Sequence, residues 1–243
     1  MARIDDLLAT ALKTVPTKPP DAAPPPTKKA YSQEMSAKVA LAMADELRHR
    51  GMRGARPSDP GDVGTPGAER RFAGGIGAKK VDATWATEGS GPLLRISVKT
   101  INFRAGRSKS FQKNLTNRRG DMLGDALTLH RRFPYAVVGG FFFLDKDAKN
   151  DQTNKRNSTF VNAFPRLRLF TGREDPAGRD EQFERLHLLL VDANPFNPAL
   201  ACYQVNDSTT QVALDAAFSE FVVLPAERNF DFYEAHNGTV RRA

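Results

Sequence analysis

Residues 80–103 read KVDATWATEGSGPLLRISVKTINF, and this stretch decides the fold. Residues 80–87 alternate in the manner of a half-buried strand, and residues 93–103 form a second strand-like run. Between them, residues 88–92 have the Gly, Ser and Pro content of a turn. The stretch is therefore predicted to be a β-hairpin.

The predicted hairpin carries charged side chains among apolar ones. Because alternate side chains of a strand share a face, Ser97 and Lys99 are predicted to project together, and their neighbours oppositely. Asp82 lies on the neighbouring strand. A carboxylate and an ammonium in such a place are costly to bury unless they are paired or bind something. Asp82 and Lys99 therefore form either a structural cross-strand ion pair or a chemical site.

Helical and strand patterns continue on both sides of the hairpin. The predicted elements are helices at 3–15, 32–50, 113–132, 179–186 and 209–222, a short first strand at 69–72, and buried strands at 135–145 and 187–192. This order of helices and strands predicts an α/β fold around a mixed sheet.

The chain has 243 residues, which suits one domain with extensions. Residues 1–15 are predicted to be a tethered amphipathic helix, and residues 16–30, with six prolines, an extended linker. Residues 31–145 form the predicted core. Residues 146–243 are assigned to the same domain, where they extend the sheet, form a dimer surface or read a target.

Composition excludes several classes of protein. A chain with 40% hydrophobic and 26% charged residues is not wholly disordered. The single cysteine, Cys202, excludes an internal disulfide and a cysteine-based zinc site, and it suits a reducing compartment. There is no run of 18 apolar residues, and the N-terminus has no signal-peptide pattern. We therefore expect a cytoplasmic protein with no membrane partner.

The net charge of +8 is concentrated in one segment. Residues 104–119, RAGRSKSFQKNLTNRR, hold six basic residues and no acid. Basic side chains that neutralise phosphates release counterions, so such a segment predicts a nucleic-acid-binding surface; the alternative is a solvated face. The residues assigned to nucleic-acid binding are Arg104, Arg107, Lys109, Lys113, Asn117, Arg118 and Arg119.

The pattern of Asp82, a turn, and Ser97-x-Lys99 on the next strand resembles the PD-(D/E)XK nuclease superfamily. The resemblance covers about residues 32–145 and implies a restriction endonuclease-like αβββαβ core, with a central mixed sheet flanked by helices and here followed by a C-terminal extension. It implies an Mg²⁺-dependent DNA endonuclease that is restriction- or defence-like. Asp82 would bind the metal, and Lys99 would stand beside the attacking water.

Ser97 departs from the superfamily pattern, because the usual residue there is Asp or Glu. A serine hydroxyl is a weak Mg²⁺ ligand, so Ser97 is assigned to orienting a metal-bound water, and another acid must complete the site. The acids considered are Asp121 and Asp125 on the following helix, Glu34 and Glu46 on the preceding helix, and Glu69, which precedes the strand that carries Asp82. Asp121 and Glu46 are preferred as metal ligands beside Asp82.

The resemblance favours duplex DNA as the partner and leaves RNA open. It also leaves room for a homodimer, because two strands need two sites. The main alternative function is a catalytically degenerate nucleic-acid-binding module within a larger assembly. A third is a protein-interaction subunit that docks through its tethered N-terminal helix.

Overall fold

A computed structural model describes residues 2–58, 71–73, 78–104 and 110–243. Within these ranges the protein is an α/β fold with five α-helices, a six-stranded mixed sheet and a small two-stranded C-terminal sheet. Two groups of residues considered above, Glu69 in one gap and Arg107 and Lys109 in another, lie outside the described residues.

The elements alternate along the chain. The helices are α1 (Arg3–Lys13), α2 (Pro25–His49), α3 (Gln112–His130), α4 (Thr159–Leu167) and α5 (Leu214–Arg228). The strands are β1 (Arg71–Ala73), β2 (Ala78–Lys80), β3 (Ala83–Thr87), β4 (Gly91–Ile101), β5 (Val137–Asp145), β6 (Arg185–Asp192), β7 (Ala199–Gln204), β8 (Gln211–Val212), β9 (Tyr233–His236) and β10 (Thr239–Arg242). The large sheet has the order β3-β4-β5-β6-β7-β8.

The predicted hairpin is confirmed as the antiparallel pair of β3 and β4, in which Ala83 lies opposite Ile96. The chain then crosses over through α3, and β5 pairs with β4 in parallel. β6 adds a second parallel neighbour, while β7 and β8 return antiparallel. β4 and β5 therefore end at the same edge of the sheet, which is where open α/β sheets bind ligands.

Helices cover both faces of the sheet. Phe141 of β5 packs in the cluster formed with α1, α2 and α5, whereas its neighbour Phe142 packs in the cluster formed with α3 and α4. On β4, Val98 belongs to the first cluster. Ser97 and Lys99 therefore project from the α3 side, as the strand alternation predicted.

The N-terminal helix packs on the protein's own core. Ile4, Leu8 and Leu12 of α1 are buried, and α1 packs against α2 and α5. α2 begins at Pro25, so residues 25–30 of the predicted linker are helical. Proline suits the first helical position because its φ is already helical and its missing N–H would have no partner there. None of the helices in the described ranges is both long and apolar enough to cross a bilayer.

Several other parts of the chain differ from the prediction, and the helix predicted at 209–222 begins only at Leu214, after β8. The predicted helix at 179–186 is wrong: those residues form turns that lead into β6, which begins at Arg185. α4 was not predicted. The predicted first strand at 69–72 corresponds in part to β1, which pairs with β2 and not with the large sheet.

A C-terminal hairpin was also missed. β9 and β10 are joined by Asn237 and Gly238, both with positive φ. Asn-Gly is the dipeptide that such two-residue turns favour, so the sequence contained its signal.

Candidate active-site cleft

A cleft of about 930 Å³ opens between the N-terminal halves of α2 and α3, over the C-terminal half of β4. Among the described residues that line it, the only acid is Asp82. The basic residues that line it are Lys28, Lys29, Lys80, Lys99, Arg104 and Arg118. A cleft lined by one sign of charge concentrates the opposite sign, so this cleft favours an anionic partner.

The cleft exists because one face of α2 changes character along its length. Its C-terminal half packs into the core through Val39 and Met43, whereas its N-terminal half presents polar side chains to β4. Ser32 Oγ accepts a hydrogen bond from Asn102 Nδ2 at 3.1 Å. These contacts hold α2 against the end of β4 and leave a polar wall rather than a sealed core.

Asp82 lies directly before β3 and lines the cleft. Its Oδ2 accepts a hydrogen bond from the backbone N–H of Val98 at 2.7 Å. Burial raises the pKa of Asp82, and the charge of Asp125 adds to the rise, although Lys99 and the Val98 amide oppose it. A further cation beside Asp82 would therefore favour its ionised form.

Lys99 is held by a carboxylate from α3. Its Nζ lies 2.7 Å from Asp125 Oδ2, and Ser97 Oγ donates a hydrogen bond to the same oxygen at 3.1 Å. The side chains of Lys99 and Asp125 are 16% and 13% exposed, so the pair is largely shielded from solvent. The direct partner of Lys99 is thus Asp125 rather than the Asp82 of the cross-strand interpretation. Ser97 is buried and anchors Asp125, so the structure does not place it where it would orient a water in the cleft.

Glu46 does not reach the cleft. It is buried near the C-terminal end of α2, where it is bonded to Arg3 Nη1 at 2.8 Å and Arg50 Nε at 2.7 Å. Ala37 is the last residue of α2 that lines the cleft, and nine further residues carry the helix about 13 Å away. The structure therefore separates Glu46 from Asp82, and this corrects its assignment as a metal ligand.

The other acids considered differ sharply in position. Asp121 is exposed, pairs with Arg118 at 3.0 Å and is not among the residues that line the cleft, so its assignment as a metal ligand beside Asp82 is corrected. Glu34 is exposed on α2 and is not among the lining residues. Asp125, one helical turn beyond Asp121, is the carboxylate that the fold turns inward.

The basic segment surrounds the cleft only in part. Arg104, Asn117 and Arg118 line it. Lys113 is exposed on the first turn of α3, and Arg119 faces away from the cleft, with its guanidinium 6.0 Å from the ring of Phe170. Of the described residues assigned to nucleic-acid binding, three therefore line the cleft.

The donor set of the cleft is compatible with Mg²⁺. Within the described ranges, no group of three or more His, Cys, Asp or Glu side chains could hold a metal. Mg²⁺, however, is commonly held by one or two carboxylates together with waters and substrate phosphates. Asp82 lines the cleft, and its second oxygen has no hydrogen bond from the described residues, so it satisfies that smaller requirement. Asp125 is not a lining residue, but it lies beside the cleft, 2.7 Å from Nζ of the lining residue Lys99.

Comparisons with known proteins identify no relative. No protein-family model matches the chain, and neither the curated proteins nor the solved structures give a match.

Proposed function

We propose that this protein is an Mg²⁺-dependent endonuclease, restriction- or defence-like, that hydrolyses phosphodiester bonds of DNA. One observation carries the proposal: Asp82 and Lys99, whose Nζ pairs with Asp125, both line a cleft whose other charged lining residues, among those the structure describes, are all basic. Cations along the walls suit a polyanionic backbone, and carboxylates beside a lysine suit chemistry on a phosphate.

The order of elements supports the same proposal. α2, the β3–β4 hairpin, α3 and the parallel strand β5 follow one another as in the restriction endonuclease-like core that the resemblance implies. Asp82 precedes the first strand of the hairpin, and Lys99 lies on the second. The support is limited to these elements, because β1 pairs with β2 outside the large sheet.

Asp82 and Asp125 are the residues that would hold Mg²⁺. When bound, the ion would neutralise charge on the phosphate and make a water more acidic. Asp82 is fixed by the Val98 amide, and Asp125 by Ser97, so both carboxylates are oriented before substrate arrives. Preorganisation of this kind avoids reorganisation during the reaction.

Lys99 is proposed to act on the reacting groups directly. Lys99 lines the cleft, and Asp125 fixes its ammonium at 2.7 Å. There it would orient the attacking water and stabilise negative charge as it develops on the phosphate. Ser97 acts through Asp125 and is a positioning residue.

Duplex DNA is the proposed substrate, on the strength of the superfamily resemblance. The basic and amide side chains of the cleft would also suit RNA, since both have the same phosphate backbone. A homodimer would present two clefts to two strands and permit cleavage of both.

A nucleic-acid-binding module without catalysis is the second candidate function. The observation that favours it is the serine at position 97, together with the lack of a three-ligand metal group in the described part of the chain. In that case the cleft would retain its affinity for phosphates and lose the chemistry. Cleavage separates the two functions.

Supercoiled plasmid incubated with the purified protein and Mg²⁺ is expected to be nicked or linearised. Conversion of plasmid is measured on an agarose gel over time, with EDTA and Ca²⁺ as control conditions in which the rate should fall to background. Salt-sensitive binding of the plasmid without cleavage in Mg²⁺, Mn²⁺ or Co²⁺ would instead establish the binding module.

A further inference from the structure

Two guanidinium groups converge on one side-chain amide at the beginning of α3. Gln112 is the first residue of α3, and its amide oxygen lies 3.5 Å from Arg156 Nη1 and 3.2 Å from Asn162 Nδ2. The guanidinium of Arg166, one turn further along α4, faces the other side of the same amide. Hydrogen-bond donors therefore meet this amide from both sides.

The Gln112 amide cannot serve both arginines. Turned over, its oxygen lies 3.2 Å from Arg166 Nη2, but its nitrogen then faces Asn162 at 3.2 Å, and Arg156 loses the amide oxygen. In either orientation one guanidinium meets an N–H donor instead of an acceptor. One guanidinium of the cluster therefore lacks the amide oxygen as an acceptor, and an anion between the arginines would supply one.

Nearby carboxylates do not fill this need. Among the described residues, neither Arg156 nor Arg166 has an ion pair with an acid. The carboxylate of Asp151 accepts from the backbone N–H groups of Phe111 at 3.0 Å and Thr159 at 2.6 Å. Only its backbone carbonyl binds Arg156, at 2.5 Å. Arg156 is thus anchored by neutral acceptors and has no ion pair with an acid of the described residues.

The position of this cluster relates it to the cleft. Asn114, which lines the cleft, follows Gln112 by two residues and so lies about 200° around the helix axis from it. A helix with its side chains is about 10–12 Å across, and the phosphates of one strand follow about every 3.4 Å along a duplex axis. A DNA strand that crosses the first turn of α3 would therefore reach from the cleft to the arginines at Gln112 within about three to four phosphates.

We propose that Gln112, Arg156, Asn162 and Arg166, here termed the α3 anion cluster, form a second phosphate-binding site. The site holds the backbone of the same DNA strand whose scissile phosphate lies in the cleft. This inference rests on the proposed function in that the cleft binds DNA, but it does not require that the cleft cleaves it. Two guanidinium groups are well suited to a phosphodiester, because each offers paired donors.

The test is the salt dependence of DNA affinity in an Arg156→Gln/Arg166→Gln protein. A short labelled duplex is titrated with protein in EDTA at a series of NaCl concentrations, after thermal unfolding has shown that the variant is folded. The slope of log affinity against log salt is expected to fall by about 1 to 2, and the affinity at physiological salt to fall on the order of tenfold.

An Arg241→Gln/Arg242→Gln protein is the matched control. It also removes two positive charges, but from β10, in the C-terminal hairpin that packs with α5. Its salt slope is expected to equal that of the wild type. The proposal would be overturned if the salt slopes of the three proteins were equal, or if both variants lost the same DNA affinity. A wild type that does not bind DNA would overturn it as well.

Two further measurements separate the related possibilities. If inorganic phosphate raises the melting temperature of the wild type but not of the Arg156→Gln/Arg166→Gln protein, while DNA affinity is unchanged, the site binds free phosphate and the DNA assignment is overturned. Cleavage is measured separately on plasmid with Mg²⁺. If the variant has a reduced salt slope and the wild type does not cleave, the second site is supported and the endonuclease is refuted. If the wild type cleaves and the variant has an unchanged salt slope, the endonuclease is supported and the second site is refuted.

Discussion

A Lys99→Ala protein is expected to cleave plasmid about 100- to 10,000-fold more slowly than the wild type while it retains most of its affinity for DNA. The loss is large because the ammonium is proposed to act on the water and on the charge that develops in the transition state. Affinity depends instead on many phosphate contacts, of which Lys99 supplies one. Cleavage rates at saturating DNA and dissociation constants in EDTA measure the two effects separately.

Lys38→Ala is the matched control for this substitution. Lys38 lies on α2 just beyond the last residue that lines the cleft, so its removal changes the same net charge without touching the site. Because Lys99→Ala removes the ion pair with Asp125, thermal unfolding of both variants is recorded as well. A folded Lys99→Ala protein with wild-type cleavage would refute the proposed site.

A Glu184→Ala protein is expected to lose about 3–5 kcal/mol of the free energy of unfolding. Glu184 is fully buried and accepts hydrogen bonds from Arg173 Nη1 at 3.0 Å, Arg228 Nη1 at 2.6 Å and the Val138 amide at 2.7 Å. It also contacts His130 at 3.3 Å. Its removal would leave the buried guanidinium of Arg173 without its counter-ion, which costs far more than the contact itself contributes.

Urea unfolding of Glu184→Ala and of Glu174→Ala measures this difference. Glu174 pairs with Arg185 at 2.7 Å but is 66% exposed, so its removal is expected to cost about 0–1 kcal/mol. Burial raises the pKa of Glu184, but His130, Arg228 and the Val138 amide together lower it below the usual value of 4.5. Glu184 therefore contributes its full share to the free energy of unfolding above about pH 4.5, and this share is lost as the pH falls through the lowered pKa. Equal losses from the two variants would contradict the assignment of Glu184 as a buried hub.

Local patterns explain why the middle of the chain was predicted well. The alternation of the hairpin and the apolar run of β5 are short-range signals, and they place Ser97 and Lys99 on the correct face. The segment before β6 was misread because Glu184 looks like a polar surface residue in the sequence. Its burial depends on Arg173, 11 residues earlier, and on Arg228, 44 residues later, and neither contact follows from a local pattern.

The acid that completes the site illustrates the same limit. Asp121 and Asp125 lie four residues apart, and Asp121 was preferred without regard to how deeply each side chain would be buried. At 100° per residue, Asp125 lies roughly 80° from the centre of the buried stripe of α3, and Asp121 roughly 120° from it. A helical wheel centred on Leu115, Met122 and Ala126 would therefore have favoured Asp125. Its bond to Lys99, however, depends on how α3 crosses the sheet.

The α3 anion cluster was not visible in the sequence, because its arginines are separated from Gln112 by more than 40 residues. The basic segment at residues 104–119 predicts a nucleic-acid-binding surface, but it contains neither of these arginines. Packing of α4 against α3 brings the second set of charges to the same end of the helix. Tertiary contacts, and not local charge, therefore define the proposed path of the strand.

The central claim is that Asp82, Asp125 and Lys99 form a site for phosphodiester hydrolysis. It is tested most directly by the initial rate of plasmid cleavage in saturating Mg²⁺ for Asp125→Asn and Asp121→Asn. Both substitutions remove one carboxylate from α3, four residues apart, and nearly preserve the side-chain shape. We expect Asp125→Asn to lose on the order of 100-fold or more and Asp121→Asn to cleave close to the wild-type rate. Wild-type cleavage by a folded Asp125→Asn protein, or a loss confined to Asp121→Asn, would contradict the claim.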